Sequence, residues 1–329
     1  GGSVVTPAVA PPRPPAPHPE AGATARPDAD RVAAAVLGAL AAHRGAVDHA
    51  LAGFCDRYLG PLPPLVGDAI RYALLGEGKR LRPMLVLAAY EAAGGRGDAV
   101  RVAAAVEVVH AYSLVHDDLP CMDDDDVRRG RPTVHRVYGV AAATAAGLAM
   151  VPLAARAALD AAVELGLAPA AAGAVVRELM RASGAGGMIG GQQLDLAGEG
   201  QAHSLEGLER IHRAKTGALI TAAARIGGIA AGADAPRLDA FGRYGEAVGL
   251  AFQIADDVLD VTATTHELGK TAGRDLDLHK STYPALLGVD GAMQRARALA
   301  DDAQAALAAV GLLTPTLGYI AQFSVARRS

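Results

Sequence analysis

HDDLPCMDDDDVRRGR, residues His116–Arg131, puts six aspartates within ten positions, interrupted by Leu119, Pro120, Cys121 and Met122 and followed at once by Arg128 and Arg129. An acidic run is ordinarily a solvated surface. This one directly follows an apolar stretch, Val102–Val115, that reads as a buried helix, so its first carboxylates emerge from a core element. Carboxylates delivered that way need a cation. Hard oxygen ligands beside arginines suit a divalent ion such as Mg²⁺ that shares its shell with substrate phosphates. Asp124, Asp125 and Asp126 read as outer-shell or solvated charges around that centre.

The theme recurs in YGEAVGLAFQIADDVLD, Tyr244–Asp260, where a second apolar helix runs into paired acids. Asp256 and Asp260 stand at i and i+4 on one face, with Asp257 about 100° round the axis. Two such clusters, far apart in sequence, are hard to explain as surface. Leu65–Leu75, Leu85–Ala93, Val100–Val115, Val134–Leu159 and Ala292–Val310 also read as helices, and no stretch shows strand alternation or a fixed repeat. The expected fold is all-α, a single-domain bundle of helices around a central cavity.

Bulk properties bound the function. Of 329 residues 51% are apolar but only 4% aromatic, and alanine in such excess favours helices. A formal charge of −4 supplies no basic field for nucleic acid. Cys55 and Cys121 are far apart and lack metal-ligand spacing, so a reducing, cytoplasmic setting is expected. No run reaches the roughly 20 uninterrupted apolar residues of a membrane span, Val134–Leu159 coming nearest. Residues 1–30, rich in proline and alanine, read as a disordered tail without the pattern of a secretory signal; Asp30 caps the first helix, and residues 31–329 form the domain.

Basic residues form four further groups. GEGKRLRP, Gly76–Pro83, is either a solvated basic turn or an anion clamp in which Lys79 and Arg82 converge on a diphosphate. His110 lies with Ser113 and Asp117 on one helix face leading to the aspartates; alone it would be a satisfied core histidine, and on that face it is also a ligand candidate. Past the glycine-rich stretch Gly184–Gly191, Lys215 and Thr216 interrupt an apolar helix, and a buried lysine needs a partner or an anion. Lys270, Arg274 and Lys280 sit in a glycine-containing loop that could close over an anion.

Two carboxylate clusters, several cations and no activated nucleophile describe a site for binding and neutralising diphosphate. The matching chemistry is ionisation of a C–O bond to diphosphate, with walls of Ala, Leu and Val that suit a hydrocarbon and exclude water. DDLPCMDDDDVRRG and FQIADDVLD resemble the first and second aspartate-rich motifs of the trans-isoprenyl diphosphate synthases. GKRLRP, GGQQLDL, AKTGALI and GKTAGRDLDLHKSTYPALLG fall in that family's order. The resemblance runs from Leu65 to the C-terminus and is strongest to the bacterial farnesyl diphosphate synthases.

The resemblance implies the isoprenoid synthase fold, a homodimer, and head-to-tail condensation of isopentenyl diphosphate with an allylic diphosphate. It assigns Asp117, Asp118, Asp123, Asp256, Asp257 and Asp260 to three Mg²⁺ ions, and Arg128, Lys215, Lys270 and Lys280 to the allylic diphosphate. Lys79, Arg82, His110 and Arg129 would hold isopentenyl diphosphate. Thr216 and Gln253 would set their oxygens near the allylic cation, and released diphosphate would take the final proton. Tyr112 and Ser113, just before the first aspartate, would set chain length. Five residues of helix span about 7.5 Å, so Tyr112 is either core packing or a floor beneath a short chain, which gives a C15 product, or C20 if it points away. Glu77 stands where the family has glycine, and Val140 and Leu148 where it has acids, which implies reduced activity. A terpene cyclase shares the aspartates but needs no second diphosphate site, and intact aspartate motifs argue against a non-catalytic subunit.

Overall fold

The computed structural model describes residues 26–198, 202–262 and 281–326. Helix α1 spans Arg26–Tyr58, α2 Pro64–Leu74, α3 Leu81–Ala92 and α4 Val100–Asp117. Next come two short strands, β1 (Val127–Arg128) and β2 (Arg131–Pro132), then α5 (Val134–Tyr138), α6 (Val140–Glu164), α7 (Pro169–Ser183) and α8 (Met188–Ala197). Helix α9 (Leu205–His212) runs through a π turn, Arg213–Gly217, into α10 (Ala218–Ala230). Helices α11 (Ala235–Thr262), α12 (Tyr283–Ala308) and α13 (Pro315–Ala326) complete the bundle. The all-α expectation holds.

Three details differ from the sequence reading. Helix α1 begins at Arg26, a turn before Asp30, so Asp30 lies inside the helix and does not cap it. The single helix expected over Val134–Leu159 is two, because Gly139 takes φ 86° between α5 and α6. The strands were not expected at all. Arg128 pairs with Arg131, so Arg129 and Gly130 form a two-residue turn with φ of 53° and 72°, the positive values that a hairpin turn of this length requires. Strands of two residues carry no alternation to detect.

Helices α4, α10 and α11 are buried on nearly every side, which their alanine and glycine content permits by allowing close approach. Phe241, Tyr244, Val248 and Ile254 anchor α11 against its neighbours, each such burial contributing roughly 1.5–3 kcal/mol. Tyr244 satisfies its buried hydroxyl by donating to the Leu317 carbonyl at 2.7 Å, fastening α11 to α13. Helix α6 is the one described helix that is long and apolar enough, by length and composition, to cross a membrane. It packs instead against α2, α4 and α7 and carries Pro152 within it.

Candidate active site

A cavity of about 1320 Å³ opens between α4, α8, the π turn and α11. Single-ligand pockets occupy roughly 300–1,000 Å³, so this one has room for two substrates side by side. Asp117 and Asp256 face it from the ends of α4 and α11, together with Lys79, Arg82, His110, Tyr112, Ser113, Arg128, Arg129, Lys215, Thr216 and Gln253. Lys270 and Lys280 lie outside the described residues.

The acidic loop folds back on the end of α4: the amide nitrogens of Asp123 and Asp125 donate to the carbonyls of Asp117 (2.8 Å) and Asp118 (3.2 Å). Burial, with Asp123 and Asp118 adding repulsion against the pull of Lys215 and Arg128, lifts the Asp117 carboxyl to about 6. Burial raises the Asp118 carboxyl as well, with Arg128 pulling the other way. It is buried, and Arg128 holds both its oxygens, Nε at 3.0 and 2.8 Å and Nη2 at 2.6 Å. Asp125, read as outer-shell or solvated, is buried as well, while Asp124 and Asp126 are exposed.

At the second cluster Asp256 is half-buried at the cavity wall, and Asp257 and Asp260 are buried. The Asp257 carboxylate accepts from Gln253 Nε2 at 2.8 Å and from the Tyr283 amide at 3.1 Å. The Gln253 carbonyl oxygen in turn accepts from Thr216 Oγ1 at 2.9 Å. Thr216 has therefore spent its proton on Gln253, which leaves a hydroxyl lone pair for the cavity. Lys215 Nζ donates to Asp195 at 2.6 Å. Burial opposes its charge, but Asp117, Asp195 and Asp123 outweigh burial and hold its pKa above the usual lysine range. Asp195 is the partner this lysine required, and the QQLDL stretch after the glycines was the signal for it.

Also on the cavity wall, Arg82 Nη1 lies 3.3 Å from His110 Nε2. Burial and the charges of Arg82, Arg129, Arg128 and Arg80 push His110 well below its ordinary pKa, so the imidazole is neutral and accepts from Arg82. Arg129 Nη1 reaches the Glu77 carbonyl at 2.9 Å; the Glu77 side chain is exposed. Behind this loop Arg80 is buried in the left-handed conformation (φ 51°). It donates to Asp48 (2.8 Å), Glu107 (3.0 Å) and the carbonyls of Leu74 (2.9 Å) and Gly76 (2.8 Å).

Sequence reasoning missed several wall residues. Glu107, buried among alanines of α4, gave no signal because its partner is distant in sequence. Phe323 of α13 lies under Lys79, Nζ 5.9 Å from the ring centre. Gln192 is buried at the wall, and neither of its amide atoms is hydrogen-bonded among the described residues. Among the described residues no three acidic, histidine or cysteine side chains form a ready cage for a cation. The hard donors fit Mg²⁺ all the same, since that ion commonly takes one or two carboxylates and completes its shell with phosphate and water.

Residues 63–309 match the family model of polyprenyl synthetase. The farnesyl diphosphate synthase of Escherichia coli (strain K12) is 47% identical over 281 residues, 83% of this chain and 93% of that protein. Chloroplastic geranylgeranyl pyrophosphate synthase 9 of Arabidopsis thaliana is 46% identical over 247 residues, 74% of this chain and 68% of that protein. The structure of a geranyltransferase from Helicobacter pylori, complexed with magnesium and isoprenyl diphosphate, is similar with a TM-score of 0.74 and 30% identity over 87% of this chain and 96% of that one. With its helical cavity, its paired acidic helix ends and a match over most of its length, the chain belongs to the polyprenyl synthetase family.

Proposed function

We propose that the protein condenses isopentenyl diphosphate head-to-tail with dimethylallyl and then geranyl diphosphate, releasing diphosphate and giving farnesyl diphosphate, a C15 product. The observation that carries this reading is one cavity lined by Asp117 and Asp256 and by five cations, Lys79, Arg82, Arg128, Arg129 and Lys215. Two anionic substrates need more cations than the metal-bound diphosphate alone does. A terpene cyclase has only that one diphosphate to hold.

Asp117, Asp123, Asp256 and Asp260 would hold Mg²⁺, three ions in all, against the allylic diphosphate. The bound ions supply charge neutralisation for the leaving group. Lys215 adds a fixed positive charge beside them, and Arg128 does so while keeping Asp118. Arg82, Lys79 and Arg129, with neutral His110, would grip the second diphosphate. The allylic C1–O bond breaks, the terminal alkene carbon of isopentenyl diphosphate bonds to C1 and leaves the positive charge on C3, and the departing diphosphate takes the proton lost from C2 of the isopentenyl unit as the C2–C3 double bond forms. Thr216, its lone pair oriented by Gln253, would stabilise the passing cation. The C15 limit rests on Tyr112, whose ring lines the cavity wall.

A homodimer belongs to the same proposal. Val140, Leu148, Leu159 and Val163 leave one side of α6 exposed and apolar, which supports a second copy covering it. The test is incubation of the purified protein with Mg²⁺ and labelled geranyl diphosphate, with and without isopentenyl diphosphate. Farnesyl diphosphate that forms only with both substrates is the expected result, and cyclic hydrocarbon from the allylic substrate alone refutes the proposal.

A further inference from the structure

Tyr112 does not stand alone at the hydrocarbon end of the cavity. His116, one turn further along α4, meets its ring edge to face, with centroids 5.5 Å apart and planes at 79°. The Tyr112 hydroxyl makes no hydrogen bond among the described residues, so packing orients it, and this ring contact is part of that packing. His116 is itself fixed from the other side. Its Nε2 lies 3.1 Å from the Thr144 carbonyl, and because a carbonyl only accepts, that nitrogen carries the proton. Beside Thr144 on α6 is Gly147, where any Cβ would overlap the imidazole. The acceptor and the notch lie within one turn of helix, so α6 presents a seat shaped for this ring.

We infer that His116, seated in the notch of Gly147, is a specificity-determining residue that holds Tyr112 across the hydrocarbon end and thereby fixes where chain growth stops. This rests on the chain-elongating activity proposed above. The imidazole fills the space between α4 and α6 into which Tyr112 would otherwise swing. Removing it opens room for another isoprene unit. A side chain at 147 drives the ring from its seat toward Tyr112 and shortens the space.

The experiment compares products of the wild-type protein with those of His116→Ala, His116→Phe and Gly147→Ala. His116→Ala raises the C20-to-C15 ratio by about tenfold or more, the scale on which an added hydrocarbon group is discriminated. His116→Phe keeps a ring in the seat and keeps C15 dominant. Gly147→Ala shifts product toward C10. An unchanged product ratio in His116→Ala overturns the inference. For a variant too slow to give product, the ratio of its affinities for geranylgeranyl and farnesyl diphosphate, measured by calorimetry, reads the same space: a ratio equal to the wild type overturns the inference, and one shifted toward the longer chain supports it. A wild-type protein that makes no elongated product refutes the proposed activity instead, and the affinity ratio still judges the seat.

Discussion

Arg128 holds Asp118 with both its Nε and Nη2, so two neighbouring aspartates at the end of α4 have different employment. Asp117 faces the cavity and Asp118 anchors an arginine. Replacing Asp118 by alanine leaves a largely buried guanidinium unpaired and should cost roughly 3–5 kcal/mol of stability. The conservative Asp118→Asn should keep the Mg²⁺ stoichiometry measured by calorimetry with inorganic diphosphate present, while Asp117→Asn lowers it. Equal loss of bound Mg²⁺ in both variants would show that Asp118 is a ligand.

Arg80 supports the loop that carries Lys79 and Arg82 through Asp48, Glu107 and two carbonyls. Arg80→Lys keeps the charge but cannot span four acceptors in a fork. It should raise the KM for isopentenyl diphosphate by about tenfold, equivalent to one lost charged hydrogen bond, and leave the KM for the allylic substrate within about twofold. Parallel increases in both constants would mean that Arg80 serves the fold alone.

His110 is neutral in the folded protein, whereas in the unfolded chain it titrates near its ordinary value of about 6.5. Below that value the unfolded chain binds a proton that the folded state refuses, so stability present at pH 7 is lost as pH falls toward the depressed folded pKa. In the ligand-free protein, His110→Gln should flatten the fall in urea midpoint between about pH 6.5 and 5. An identical slope in the variant would assign the acid sensitivity elsewhere.

The exposed face of α6 gives the test of assembly. Val163, 60% exposed, is replaced by glutamate, which leaves the fold intact because the position is outside the core. Sedimentation should then show a dimer dissociating at least about tenfold more readily, the effect of burying an unpaired charge at an interface. No change in mass distribution would place any interface elsewhere.

Much of this architecture was legible in the sequence because its signals are local. Helices α4 and α11 announce themselves as apolar runs that end in acids, and the basic groups stand at their boundaries. What stayed hidden depends on rotation or distance. Asp117 and Asp118 are the same residue type one position apart, and only a helical rotation of about 100° decides which faces the cavity. Glu107 makes sense only once Arg80 folds onto it. Asp257, counted among the metal donors, is revealed by the Tyr283 amide to hold the start of α12 as well as Gln253. The turn at Arg129 was obscured because arginine seldom adopts a positive φ.

That turn sets two adjacent arginines to work in opposite directions, Arg128 toward Asp118 and Arg129 toward the backbone of Glu77. Tyr72 pins it from outside, donating to the Pro132 carbonyl at 2.7 Å with Arg131 lying over its ring at 4.1 Å. With only two residues between its strands, the hairpin ties the Arg128–Asp118 pair and the Arg129–Glu77 contact to one short stretch of backbone, so the acidic loop after α4 and the loop before α3 share a single mechanical link.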